Sequence, residues 1–69
     1  MSDPVPFAVD ARGMRCPWPV LRASRALRDH ALVEVRADDP MAAKELKALA
    51  TERGWSFVEA GQACYRLGR

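Results

Sequence analysis

Sixty-nine residues make one domain with a thin core, because a chain of this length buries only about 60% of the surface its unfolded form exposes. Hydrophobic residues make up 49% and charged ones 29%, a mixture that argues against intrinsic disorder and for a folded α/β domain. The net charge of +2 is too small to point to direct nucleic-acid binding without a concentrated basic patch, and no run of about 18 apolar residues is present to span a bilayer.

The Pro-rich start, residues 1–6, has neither a basic stretch nor an apolar run of the kind a secretion signal needs. It is expected to fray, and the chain reads as one cytoplasmic domain over residues 1–69. Phe7-Ala8-Val9-Asp10 is a short apolar run stopped by Arg12-Gly13, which predicts a strand and a turn. A helix over residues 17–29 follows. Pro17 suits its first position, since the missing N–H has no intrahelical partner there, and Cys16 then falls at the N-cap. Val20, Ala23, Ala26 and Leu27 recur on one face of this helix, and Arg22, Arg25 and Arg28 form a basic stripe on the other.

Residues 32–36 mix β-branched and polar side chains with a period of two, which predicts the second strand. Asp38-Asp39-Pro40 then signals a helix start, with Asp39 as cap and Pro40 in the first position. Ala42, Leu46, Leu49 and Ala50 line one face of this second helix, over residues 40–53, and Gly54 is placed to end it in a left-handed conformation. Residues 55–60 and 63–67 are β-prone and flank Gly61-Gln62, the pattern of a tight hairpin. Trp55 and Phe57 are assigned to the core. The order βαβαββ predicts a two-layer α/β sandwich: a mixed four-stranded sheet with both helices on one face.

The chemistry centres on Cys16. A thiol at a helix N-cap lies beside unpaired amides and the positive end of the helix dipole, which favours the thiolate, and Arg15 adds charge of the same sense. Pro17 and Pro19 remove two early donors, which leaves the amides of Trp18 and Val20 to point at the sulfur. Pro19 occupies the place of a second cysteine in a Cys-x-x-Cys pair, so no local resolving thiol exists. His30, at the far end of the first helix, is the only histidine, and it supplies neither the base of a hydrolytic cysteine nor a zinc-ligand spacing. No metal or cofactor is expected. An activated thiolate without a base suits sulfur transfer: attack on a disulfide or persulfide, and release of the sulfur elsewhere. Cys64, in the last strand, reads as a structural thiol, and Asp38 and Asp39 as capping groups. Trp18 reads either as a docking anchor or as a partly buried helix-start residue.

Gly13-Met14-Arg15-Cys16-Pro17-Trp18-Pro19, followed by Val20-Leu21 and later by Asp39-Pro40, resembles the TusA-like (SirA-like) sulfur carriers, whose mark is Cys-Pro-x-Pro at the start of the first helix. The resemblance covers about Val9 to Leu67. It implies the βαβαββ sandwich, and a sulfur carrier or sulfurtransferase in which Cys16 takes sulfane sulfur from a cysteine desulfurase or rhodanese-type donor and holds it as a persulfide. The sulfur then passes to an acceptor protein in tRNA thiolation, molybdenum-cofactor work or sulfur oxidation. Arg15, Pro17, Trp18, Pro19 and Val20 are the residues expected to stabilise the persulfide or dock partners, and a monomer is expected. Two features depart from the family pattern. Asp29-His30-Ala31-Leu32 replaces a Pro-Gly turn and shortens that connection, and Glu45-Leu46-Lys47 stands where an Asp-apolar-Pro step is usual in the second helix. Two other functions remain open: a regulatory or nucleic-acid-binding module using Arg22, Arg25 and Arg28, and a redox protein pairing Cys16 with Cys64.

Overall fold

In a computed structural model, which describes residues 5–15 and 17–69, the chain runs β1 (Phe7–Asp10), α1 (Trp18–Asp29), β2 (Leu32–Arg36), α2 (Ala42–Arg53), β3 (Ser56–Gly61) and β4 (Cys64–Gly68). Met1 to Pro4, expected to fray, and Cys16, expected at the helix cap, lie outside the described residues. The strands lie in the order β1-β2-β4-β3. β1 runs parallel to β2, with Val9 opposite Val35. β4 is antiparallel to both β2 and β3, with Leu67 opposite Val33 and Phe57. β2 and β3 therefore point the same way with β4 inserted between them, and each of the two helices carries the chain back along the sheet, as parallel strands require.

The period-two alternation of β2 gives the sheet its two sides. Val33 and Val35 are fully buried while Glu34 between them is only half-buried. Val9 and Leu67 join the two valines under the helices, which contribute Pro19, Ala23 and Leu27 from α1 and Ala42, Leu46 and Ala50 from α2. Both helices thus cover one face, and burial of leucines such as Leu27 and Leu46 stabilises the domain by about 1.5–3 kcal/mol each. The small residues Ala23, Ala42 and Ala50 let the helices settle close to the sheet. Trp55 and Phe57 are half-buried and pack against this core, as the sequence suggests. Phe57 lies in β3, with its ring 5.9 Å from that of Tyr65, and Trp55 stands just before the strand.

Three boundaries move for identifiable reasons. α1 begins at Trp18, not Pro17, because the carbonyl of Pro17 (φ −96, ψ 12) is the one that accepts the first helical bond, from Leu21 at 3.0 Å. Pro17 is therefore the cap. α2 begins at Ala42, not Pro40. Asp39 uses its side chain on the amide of Met41 (2.9 Å) and its carbonyl on that of Ala42 (2.9 Å), which closes a turn before the helix. In the hairpin, Ala60 is an extra residue in β3, so Gly61 pairs with Cys64 and the turn becomes Gln62-Ala63. The one-residue bulge leaves Ala63, not a glycine, at φ +55. Gly54 does take the left-handed conformation (φ +72), and the amide of Trp55 reaches back to the carbonyl of Ala50 at 2.8 Å.

Candidate functional site

The segment that carries the cysteine motif leaves β1 under tight backbone control. Ala11 stays buried and donates its N–H to the carbonyl of Arg36 at 2.8 Å, which extends the β1–β2 pairing by one residue. Asp10 then holds Arg12 through paired contacts of 2.9 and 3.0 Å and accepts the Arg12 amide at 3.2 Å. The guanidinium holds the Asp10 carboxyl down at about 2. Gly13 follows at φ +81, a conformation glycine adopts without strain. Its N–H is donated to Oδ1 of Asp38 at 2.9 Å.

That last bond joins two loops 25 residues apart in sequence, the one before α1 and the one before α2. Between them lies an open groove of about 470 Å³ lined by Gly13, Met14, Arg15, Asp38, Asp39 and Pro40. Arg15 is exposed and makes no ion pair among the described residues. Beyond Cys16, which lies outside those residues, Pro17 is exposed and Trp18 shows 59% of its surface to solvent. Pro19 is buried and Val20 half-buried, so the second proline pins the start of α1 to the core.

The amide of Trp18 is not free to point at a sulfur. It is donated to the carbonyl of Arg15 at 2.9 Å, a backbone partner for one of the orphan donors at the helix start. With Pro17 and Pro19 lacking N–H groups, Val20 is the remaining amide of the pair anticipated from sequence.

Cys64 sits on the opposite face of the sheet from the helices, since its strand neighbours Tyr65 and Leu67 face the core. Its Sγ donates to Oε1 of Glu34 at 2.8 Å, and Arg66 approaches Oε2 of the same carboxylate at 3.6 Å. The hydrogen bond to Glu34 pushes the Cys64 thiol up and draws the Glu34 carboxyl down, so the sulfur stays protonated. Arg22, Arg25 and Arg28 are exposed on α1, and Arg22 and Arg25 line a second groove against β1. Among the described residues no three His, Cys, Asp or Glu side chains cluster as metal ligands would, and no helix is long and apolar enough to cross a membrane.

Two contacts escape sequence reasoning: Asp38 to Gly13, and Cys64 to Glu34. Asp38 reads as a capping residue because its neighbours are Asp39 and Pro40, and nothing local marks its distant partner. The second was open to inference only through strand register, which sets Glu34 diagonally across from Cys64.

Residues 8–67 match the family model for the sulfurtransferase TusA. The sulfur carrier protein TusA of Pseudomonas paraeruginosa is 34% identical over 62 residues, covering 86% of this chain and 78% of that one. The sulfur carrier protein TusA of Allochromatium vinosum is 35% identical over 54 residues, covering 74% and 71%. Among solved structures, a SirA-like protein from Desulfitobacterium hafniense superposes with a TM-score of 0.68 at 28% identity, over 88% of this chain and 90% of that one. A four-stranded mixed sheet under two helices, an Arg-Cys-Pro-x-Pro run leading into the first of them, and a match over nearly the whole chain together place this protein in the TusA family of sulfur carriers.

Proposed function

We infer that Cys16 is the sulfur-bearing residue of this carrier and works as a thiolate. It attacks the outer sulfur of a donor persulfide; the new S–S bond forms on Cys16 as the donor's S–S bond breaks, and the donor leaves as a thiolate. Cys16 then holds the sulfane sulfur until an acceptor thiolate takes it by the same displacement. The observation that carries this reading is the place of Cys16 in the sequence, between Arg15, which is exposed and makes no ion pair among the described residues, and the Pro17-Trp18-Pro19 entry to α1. The guanidinium and the positive end of α1 favour the thiolate. Trp18, largely exposed beside the motif, suits a protein contact. The partners are a desulfurase or rhodanese-type donor and an acceptor of the same relay, met by a monomeric carrier in the cytoplasm.

Incubation with a cysteine desulfurase and cysteine should add one sulfur atom to the mass of the protein, reversibly by reductant, and Cys16→Ser should abolish the gain. Trp18→Ala should load normally from a small persulfide and slowly from the protein donor. A Cys16→Ser variant that still gains the sulfur, or a wild-type chain that gains none from several donors, refutes the assignment. Cys64 does not suit the alternative role of a resolving thiol, since its bond to Glu34 keeps it protonated.

A further inference from the structure

β1 is the outermost strand and pairs with β2 alone among the described residues. The Ala11 amide turns inward to Arg36, so by strand alternation the amides of Phe7 and Val9 also turn toward β2, while those of Ala8 and Asp10 turn outward. The other edge, β3, is interrupted by its bulge at Ala60, a device that discourages further pairing. β1 has no bulge, proline or lysine to do the same.

Alongside this open edge runs a groove of about 350 Å³ between β1 and α1. The ring of Phe7 stacks on that of His30, with centroids 3.9 Å apart and planes within 8°. Arg22 and Arg25 line the same groove, and neither makes an ion pair among the described residues. Against their two charges stands one carboxylate, Asp29. Side chains three apart on a helix stand about 5–6 Å from each other, and side chains two apart on a strand repeat about every 6.6 Å on one face. Two carboxylates on alternate residues of an added strand would therefore meet the two guanidiniums in step.

We propose that the outer edge of β1 receives an extended acidic segment of a partner protein as a fifth strand, its main chain bonding Ala8 and Asp10 and its carboxylates seated on Arg22 and Arg25. None of the residues lining this groove belongs to the Gly13 to Pro19 motif. An extended peptide is favoured over RNA because the outward amides alternate with outward carbonyls, which match a peptide main chain but turn acceptors toward a phosphate.

The test titrates the full chain with an end-blocked peptide of alternating glutamate and valine, followed by amide NMR and hydrogen exchange. The amides of Ala8 and Asp10 should shift and slow in exchange. Ala8→Pro, which removes one outward donor and leaves the β2 ladder intact, should weaken binding about 3- to 10-fold. Arg22→Glu with Arg25→Glu should weaken it by about tenfold or more. A control peptide of equal charge with proline in place of valine should bind poorly, and this arm stands even if Ala8→Pro fails to fold. Absence of binding, equal binding of the proline peptide, or full displacement by single-stranded RNA with the Ala8 and Asp10 amides unmoved would overturn the proposal.

Discussion

Removal of the Asp38 carboxylate tests whether the loop carrying the cysteine motif is held by the loop before α2. In Asp38→Ala the Gly13 amide loses its 2.9 Å acceptor. Both groups are exposed, so the net loss falls in the lower part of the hydrogen-bond range, about 0.5–1 kcal/mol. In a domain this small that corresponds to a fall in Tm of about 2–8 °C. Asp38→Asn keeps an acceptor oxygen and gives up the charge, and should recover roughly half of the loss. Gly13→Ala probes the same place from the other partner. A Cβ there meets nothing within 4 Å, so its cost is the left-handed backbone alone, roughly 1–2 kcal/mol. Calorimetry gives the Tm values, and exchange of the Gly13 amide reports the local contact directly. If Asp38→Ala leaves both the melting temperature and the Gly13 exchange rate at wild-type values, the two loops are not coupled through this bond.

Cys64, studied in a Cys16→Ser background, should titrate above its ordinary value of 9.0, because Glu34 holds it protonated. The sign follows: the folded state prefers the neutral thiol, so this contribution to stability is complete below 9.0 and is lost as pH rises through the folded value. Alkylation rates against pH should show the raised midpoint, and Glu34→Gln should lower it; a wild-type midpoint at or below 9.0 contradicts the contact. Ala63→Gly relieves a left-handed alanine (φ +55) at some cost in chain entropy, a net gain of about 0.5 kcal/mol and a Tm rise of about 2–4 °C. A lower Tm would show that the turn is not strained at Ala63.

The architecture was largely legible because each element carries its own periodicity. β1 and β2 fall on the predicted residues, and the buried stripes Ala23-Leu27 and Ala42-Leu46-Ala50 lie on the faces the spacing gives. The misses are local competitions among hydrogen bonds. Asp39 satisfies Met41 and Ala42 in a turn, so α2 starts later than Pro40 suggests, and Arg15 takes the Trp18 amide that a sulfur was expected to use. The bulge at Ala60 shifted the hairpin by one residue, a register effect with no sequence mark beyond the neighbouring Gly61. The family was legible from the Arg-Cys-Pro-x-Pro run and its surroundings, in agreement with the match of residues 8–67 to the TusA model. The tie from Asp38 to Gly13 spans too much sequence to be read from either end.

The fourth strand in chain order, β4, occupies a central place in the sheet. Until β4 arrives, β2 has a partner on one side only and β3 has none, so the earlier strands cannot cooperate as a single layer. The sheet therefore cannot close before residues 64–68 are in place, and until then the edges of β2 and β3 that face β4 stay unpaired. Any substitution that weakens pairing of Leu67 with Val33 and Phe57 acts as a fault in the keystone, and would split the sheet in two rather than fray its margin.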